Sequence, residues 1–291
     1  MVKILLIGKT GQLGSAIMED AKSFGFEIVS FGKEELDVTK ESQVKEKIEK
    51  TEPDILINTS AYHVVSKCEE NPLKAMAVNF LAVQNLAKIC KKQDIIFVTY
   101  STDYVFDGEK GTPYKEDDKP NPLQIYGISK LAGEYAALNL YPKGVFVIRT
   151  CGLYGGEEGS PEKKGNFVLN IIKEAQSKTM VEVSSEQIVS PTYAGDLSKA
   201  TLKLLNARAD SGIYHLVNEG YCSWYEFTQE IFKLAKVDKE IKPIDRSGLD
   251  KGMRRPKFSA LKNMKAKTLE IELPFWREGL RSYFNFLKIS I

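Results

Sequence analysis

The stretch VKILLIGKTGQLG, residues 2–14, decides how the first half of this chain folds. Residues 3–8 form a continuous, mainly apolar run, which is typical of a strand buried on both faces of a parallel sheet. Three glycines in G-x-x-G-x-x-G spacing come next, and a helical pattern begins at about Gln12. Because the free N–H groups and the dipole of a helix N-terminus attract phosphates, this order predicts a nucleotide-binding unit rather than a purely structural turn.

Strands and helices alternate from this stretch to about residue 150. Strands are predicted at 26–31, 54–58, 95–100 and 145–148, and helices at 12–24, 41–50, 72–91 and around Tyr126 and Lys130. This alternation predicts right-handed crossovers and an α/β fold with a doubly wound parallel sheet. We expect a nucleotide-binding domain at residues 1–150 and a smaller, mainly substrate-binding α/β domain at 151–291. Segments such as 213–218 can return to the first sheet.

The composition excludes several classes of protein. The chain has 291 residues, 43% of them hydrophobic and 27% charged, with a formal net charge of +2. That charge predicts neither nucleic-acid nor membrane binding, and no apolar run approaches the ~20 residues that span a bilayer. The four cysteines are scattered, which indicates reduced, structural thiols in a cytoplasmic protein. The two histidines have no metal-site spacing, and His215 is interpreted as a structural residue of a strand.

Tyr126 and Lys130 are the candidate catalytic pair. Residues four apart share one helix face, so an ammonium can stabilise tyrosinate and lower the tyrosine pKa from about 10 toward neutrality. A proton donor usable at neutral pH results. Upstream, Ser101 and Thr102 come at the end of a predicted strand, where ligands bind in doubly wound sheets, and either hydroxyl can hydrogen-bond a substrate carbonyl. The alternatives are that Tyr126 and Lys130 share an exposed helix face by chance, and that Ser101 and Thr102 only cap a loop.

The end of the second strand indicates the cofactor. An acidic residue there would bind the ribose 2′-hydroxyl of NAD and repel a 2′-phosphate. The chain has no acid before Glu34, and Lys33 can face a phosphate, so NADP(H) is preferred and NAD(H) remains possible. A solvated surface lysine is the alternative for Lys33.

Further motifs extend over nearly the whole chain. They are residues 8–14, 36–38, 58–62, 101–108, 126–134, 190–193 and 223–227, and Arg255-Pro256 with Ser259. Together they resemble the dTDP-4-dehydrorhamnose reductase branch of the extended short-chain dehydrogenase/reductase family, and the run STDYVF with the later YGISK is the most specific match. The resemblance implies a Rossmann domain that binds NADP(H) or NAD(H), and a C-terminal domain that grips a nucleotide sugar.

The resemblance also implies roles for individual residues. Tyr126 would donate a proton, Lys130 would hold the nicotinamide ribose, and Thr102 would orient the keto oxygen. The implied cofactor contacts are Gly8, Thr10, Gly11, Gln12, Leu13, Asp37, Val38, Ser60, Ala61 and Tyr62. The expected substrate contacts are Thr102, Asp103, Tyr104, Asn166 and Arg255. The Arg255 guanidinium suits a diphosphate, although a solvated basic loop at residues 251–257 is the alternative.

Three positions depart from the family pattern. Gly152 stands where the family usually has a substrate-contacting tryptophan, so the sugar or its base can differ. Ser66 replaces a usual acid. Ser15 replaces a carboxylate that binds magnesium in some members, and we therefore predict no metal.

The predicted activity is NADPH-dependent reduction of a 4-keto-6-deoxy nucleotide sugar, most simply dTDP-4-dehydro-L-rhamnose to dTDP-L-rhamnose, by a cytoplasmic homodimer. One alternative is a nucleotide-sugar epimerase or dehydratase, which needs tightly held NAD⁺. Another is a non-catalytic, cofactor-binding regulatory subunit that resembles the β subunit of methionine adenosyltransferase.

Overall fold

The computed structural model describes residues 1–160, 162, 164–207, 209–245 and 253–288. Strands form at Val2–Ile7 (β1), Phe26–Phe31 (β2), Ile55–Asn58 (β3), Ile96–Thr102 (β4), Val145–Thr150 (β5), Leu153–Tyr154 (β6), Met180–Ser184 (β7), Ile188–Val189 (β8), Thr192–Tyr193 (β9), Gly212–His215 (β10), Cys222–Ser223 (β11) and Glu240–Ile244 (β12).

The helices lie between these strands. They are Gln12–Asp20 (α1), Glu41–Thr51 (α2), Val65–Glu70 (α3), Pro72–Met76 (α4), Ala82–Gln93 (α5), Ile125–Leu140 (α6), Phe167–Ser177 (α7), Ala194–Asn206 (α8), Trp224–Ala235 (α9), Met264–Thr268 (α10) and Trp276–Phe286 (α11). Short 3₁₀ helices at Ala21–Phe24 and Asp103–Val105 come after α1 and β4, and a π-helical turn at Ala77–Leu81 joins α4 to α5.

The central sheet has six parallel strands in the order β10-β5-β4-β3-β1-β2. One apolar layer includes α1 and α8, and the opposite layer includes α2 and α5, so helices cover both faces. The predicted α/β fold class is therefore confirmed. The apolar residues of β1, Ile4 to Ile7, are all buried, because a strand between two helical layers exposes neither face.

A second core lies beyond the sheet, among α7, α9 and α11. Its centre is aromatic, since Tyr154, Phe227, Trp276 and Tyr283 are all buried and in ring contact with one another. The short parallel pair β7 and β12 contributes Val181 and Val183 to the same core. This lobe stands at the carboxyl-end side of the main sheet because it comes directly after β5.

The helix predicted at 72–91 forms, but its buried face is only partly the expected one. The apolar residues of the pattern are Leu73, Ala77, Phe80, Leu81 and Leu86. Leu86 is buried, whereas Leu73 is 86% exposed and Leu81 is 47% exposed. The π-helical turn adds one residue to the helix and rotates the residues after it, so Asn79 faces inward and is 1% exposed. A helix wheel of constant pitch therefore misplaces the face.

Other expectations concern isolated residues. His215 lies in β10 and is fully buried, and its Nδ1 is 3.1 Å from the carbonyl oxygen of Tyr114, as expected for a structural histidine. The cysteines are free thiols and all are buried. Within the described ranges, no helix combines the length and the apolarity that crossing a membrane requires.

Candidate active site

The glycine loop between β1 and α1 is built for close backbone approach. Gly8 has φ +96°, a conformation that favours glycine, and a Cβ there would lie 3.2 Å from the Ser60 nitrogen. A Cβ on Gly14 would lie 2.1 Å from the carbonyl oxygen of Gly8, so only glycine lets α1 pack this tightly. Because no side chain caps α1, the N–H groups of its first turn, at Gln12 and Leu13, remain for an anion.

A cavity of about 660 Å³ lies beside this loop. Thr10 and Ser15 line it on one side, and Gly156 to Ser160, from the loop after β6, line it on the other. A backbone cradle that a Cβ would fill, together with an adjoining cavity, fits a dinucleotide whose phosphates rest on the start of α1.

The end of β2 contains a carboxylate that the sequence pattern missed. Glu35 folds back, and its carboxylate accepts a hydrogen bond from the Gly32 nitrogen at 2.7 Å. It also pairs with the Lys9 ammonium at 2.6 Å, and this pairing lowers the Glu35 pKa. Lys33 is exposed nearby, 3.9 Å from Glu162. This region therefore has two lysines, Lys9 and Lys33, and one carboxylate, Glu35, whose charge is balanced by Lys9. The sequence pattern indicated only Lys33 and the lack of an acid before Glu34.

The remaining predicted cofactor residues lie at the carboxyl ends of β2 and β3. Asp37 accepts hydrogen bonds from the nitrogen and the hydroxyl of Thr39, which lower the Asp37 pKa, and Val38 is buried. In the segment Ser60 to Tyr62, Asn79 holds the backbone, because its amide accepts from the Tyr62 nitrogen and donates to the Tyr62 oxygen, both at 2.9 Å. Asn79 thereby links this segment to α6 through Ser129, and sequence reasoning did not identify it.

Tyr126 and Thr102 meet where α6 crosses the end of β4, and Lys130 lies one helical turn beyond Tyr126. Tyr126 and Lys130 occupy one face of the first two turns of α6, and Thr102 is the last residue of β4. Burial raises the Tyr126 pKa, and a hydrogen bond with Thr102 partly offsets that rise. Burial lowers the Lys130 pKa to about 8.

The prediction that the Tyr126 pKa would be lowered is therefore wrong. The helix spacing predicted that the Lys130 ammonium would lower it, but the loss of hydration around the phenol is the larger effect. A phenol with a raised pKa keeps its proton at neutral pH, so Tyr126 is protonated but is a weaker acid than the helix spacing predicted.

Asp103, a predicted sugar contact, is hydrogen-bonded within the protein. Its side chain is buried, and its carboxylate accepts hydrogen bonds from Ser259 at 2.6 Å and from Thr102 at 3.0 Å. Burial raises the Asp103 pKa, while these hydrogen bonds lower it. Asp103 therefore ties the C-terminal segment to the active-site loop, and its contacts are made within the protein.

Tyr104 and Arg255 lie beside Tyr126. The Tyr104 and Tyr126 rings meet edge to face, with their centroids 6.0 Å apart, and Arg255 Nη1 donates to the Tyr104 hydroxyl at 3.5 Å. Burial raises the Tyr104 pKa to about 12. Of the basic loop at 251–257, residues 251 and 252 lie outside the described residues, whereas Arg255 is half-buried and turned toward the two tyrosines.

Asn166, a predicted substrate contact, is hydrogen-bonded within the protein. It is the N-cap of α7, and its Oδ1 accepts from the Leu169 nitrogen at 3.1 Å. Its Nδ2 donates to the Gly155 oxygen and the Tyr283 hydroxyl, so both ends of the amide are used internally.

Gly152 lies where the chain leaves β5 for the second lobe. It has φ +55°, and a Cβ there would lie 3.1 Å from the Pro191 Cα and 3.5 Å from the Trp224 ring. The indole of Trp224 thus occupies part of the space beside Gly152, and it also packs on Phe167 with centroids 4.3 Å apart.

Known proteins resemble this chain along nearly its full length. Residues 2–289 match the family model described as the RmlD substrate binding domain. The spore coat polysaccharide biosynthesis protein SpsK of Bacillus subtilis (strain 168) is 35% identical over 98% of both chains. A dTDP-4-dehydrorhamnose reductase of Mycolicibacterium smegmatis is 32% identical over 96% of this chain and 84% of its own length.

Solved structures agree with the fold. The crystal structure of dTDP-4-dehydrorhamnose reductase from Bacillus anthracis str. Ames in complex with NADP superimposes with a TM-score of 0.91. It is 32% identical in sequence, and the match covers 98% of this chain and 100% of that one. With the glycine loop, the threonine–tyrosine–lysine group and these matches, the chain belongs to the dTDP-4-dehydrorhamnose reductase (RmlD) family of extended short-chain dehydrogenases/reductases.

Proposed function

We propose that this protein reduces a 4-keto-6-deoxy nucleotide sugar with NADPH, most simply dTDP-4-dehydro-L-rhamnose to dTDP-L-rhamnose. The observation that carries the proposal is the hydrogen bond between Tyr126 and Thr102, the last residue of β4, with Lys130 four residues after Tyr126 on the same helix. A keto sugar needs a proton donor and a hydride source on the same carbonyl group, and this edge of the sheet offers both sites.

Each residue of the site has its own part in the proposed reaction. NADPH, when bound, supplies the hydride that adds to the sugar carbonyl carbon. Tyr126 gives its phenolic proton to the oxygen that becomes an alkoxide, and Thr102 holds that oxygen by a hydrogen bond. The Lys130 ammonium stabilises the tyrosinate left behind until solvent returns a proton. Arg255 and Tyr104, beside Tyr126, bind the nucleotide sugar.

NADP(H) is the proposed cofactor. A related reductase of 32% identity has been solved with NADP. In this chain, Lys9 and Lys33 flank Gly32 at the end of β2, where a 2′-phosphate comes to lie in this fold. Glu35 is already paired with Lys9, which reduces its repulsion of a phosphate. The glycine loop from Gly8 to Leu13 receives the pyrophosphate.

NADPH oxidation, followed by absorbance with a panel of 4-keto nucleotide sugars, tests the proposal. We expect turnover with a 4-keto-6-deoxy sugar and a loss of at least about a hundredfold in Tyr126→Phe, because the proton donor is gone. Binding of NADPH, measured by its fluorescence, should change little. Full activity in Tyr126→Phe would refute the assignment.

The same assay separates the alternative functions. An epimerase or dehydratase would co-purify with NAD⁺ and interconvert sugars without net NADPH consumption. A regulatory subunit would show no turnover on the panel and would capture a stoichiometric protein partner. Either result would replace the reductase proposal.

The cellular setting and the assembly are further proposals. Four buried free thiols fit a reducing compartment, which supports the cytoplasm. An apolar surface on α4, the π-helical turn and α6, formed by Leu73, Leu81, Ile128 and Tyr135, supports a homodimer.

A further inference from the structure

A buried ion pair lies one helical turn beyond Lys130. Glu134 comes four residues after Lys130 and shares its face of α6. Both Glu134 and its partner Arg149 have side chains that are 1% exposed. Arg149 Nη2 donates to Oε2 at 2.6 Å, and Nε donates to Oε1 at 3.0 Å and to Oε2 at 3.2 Å. Both carboxylate oxygens are therefore held by one guanidinium.

The sheet fixes the position of Arg149. It lies on β5, where its register partners are Ser101 on β4 and His215 on β10. Its guanidinium packs over the Phe106 ring at 5.2 Å. Among the described residues, Glu134 supplies the only hydrogen-bond acceptors to this guanidinium, and Nη1 has no partner. Arg149 is thus rigidly placed and used for Glu134 alone.

The surroundings of Lys130 differ from those of Arg149. Its side chain is 5% exposed, and within the described chain no salt bridge joins its ammonium to a carboxylate. A lysine and a glutamate at i and i+4 on a helix lie close enough to pair. Here the glutamate gives both of its carboxylate oxygens to Arg149 instead.

We propose that Arg149 is a positioning residue, which holds the Glu134 carboxylate away from Lys130 and so keeps the lysine ammonium available for the role that the proposed function gives it beside Tyr126. The inference deepens the proposed reductase function and rests on it for its catalytic meaning. The placement of the charges, however, can be measured without turnover.

The other groups around Lys130 come from several elements. Cys68 on α3 and Glu134 raise its pKa, and burial lowers it by more, to about 8. Asp103 and Tyr104 belong to the 3₁₀ turn after β4 and face Tyr126, which lies on the same helix as Lys130. Of these groups, Glu134 is the one whose position depends on Arg149, because Cys68 instead donates to the Tyr62 oxygen.

Two substitutions should move the Lys130 titration in opposite directions. In Arg149→Met, the released Glu134 pairs with Lys130, so the midpoint should rise by about one pH unit. In Glu134→Gln, a neutral amide replaces the carboxylate, so the midpoint should fall by about one pH unit. A role in stability alone would not give opposite signs. Arg149→Lys keeps the positive charge but cannot hold both carboxylate oxygens, so it should also raise the midpoint. An unchanged midpoint in Arg149→Lys would show that the shift in Arg149→Met is only the loss of a nearby charge.

The midpoint is read by ¹³C NMR of protein labelled on lysine, with the Lys130 signal assigned by its loss in Lys130→Arg. Glu46→Gln, which removes an exposed i,i+4 pair with Lys50, is the matched control and should leave the midpoint unchanged. Thermal unfolding checks each variant, and Arg149→Lys, whose ammonium cannot hold both oxygens, replaces Arg149→Met should that variant not fold.

The pH profile of kcat/KM then links the titration to the reaction. We expect its basic limb to move with the NMR midpoint, upward in Arg149→Met and downward in Glu134→Gln, with a reduced kcat in Arg149→Met. Unchanged midpoints, or shifts of the same sign, would overturn the inference. Opposite shifts in a protein without reductase activity would retain the positioning role and refute the proposed function.

Discussion

At the scale of single residues, His215 makes stability depend on pH. It is fully buried in β10, and burial together with the nearby Arg149 charge lowers its pKa to about 3. The unfolded chain therefore binds a proton below about 6.5 that the folded protein does not, and stability falls as the pH falls. Between pH 7 and pH 5 this one residue should cost about 2 kcal/mol in the free energy of unfolding.

Urea unfolding at the two pH values measures this cost. His215→Gln keeps a donor for the Tyr114 oxygen but cannot titrate, so its stability should fall less over the same interval. Carboxylates that titrate in both proteins cancel in the comparison. An equal loss in wild type and variant would show that His215 does not carry the effect.

Residue identity could be predicted from the sequence more readily than residue environment. The Tyr126, Lys130 and Thr102 group is visible because a helix period and a strand end place the three residues together. The direction of the Tyr126 pKa is not visible, since it depends on how much water the fold removes from the phenol. For the same reason, the role of Asp103 required the long-range contact with Ser259, 156 residues away in sequence.

At the scale of elements, the π-helical turn between α4 and α5 supports the site. It places Asn79 where its side chain bonds the Tyr62 backbone and the Ser129 hydroxyl. α6 packs against the turn so closely that a Cβ on Gly133 would lie 2.2 Å from the Asn79 oxygen. Helix periodicity alone could not predict this arrangement, because the extra residue of the turn changes the phase of the helix.

Asn79→Ala tests the element. The substitution leaves the Tyr62 nitrogen without a partner and the Tyr62 oxygen with Cys68 as its donor, and it should lower the free energy of unfolding by about 1 to 3 kcal/mol. It should also raise the KM for NADPH, because the segment from Ser60 to Tyr62 loses its anchor. Chemical denaturation and steady-state kinetics measure the two effects. Gln84→Ala, in the same helical stretch, is the control, and equal effects of both substitutions would contradict a supporting role for Asn79.

At the scale of the molecule, the predicted functional residues follow the carboxyl ends of the strands of the main sheet. β1, β3, β4 and β5 are parallel, so their carboxyl ends lie along one edge of the sheet, and Arg255 from the C-terminal part of the chain bonds Tyr104 after β4. The sequence predicted this edge from the strand–helix order. It could not predict the packing of the second lobe, which depends on aromatic contacts between distant helices such as α9 and α11.

The surface of α4 and α6 gives the last prediction. Leu73 is 86% exposed and Tyr135 is 56% exposed, and Leu81 and Ile128 are further exposed apolar residues of the same packed elements. Single exposed apolar residues are ordinary, but four on adjoining helices favour burial against the same surface of a second copy, in a twofold dimer. Light scattering on a sizing column should give twice the chain mass for the wild type and the chain mass for Leu73→Asp/Tyr135→Asp. Met264→Asp, which charges an exposed residue of α10, should remain dimeric. A wild-type monomer, or a double variant that stays dimeric, would place any interface elsewhere.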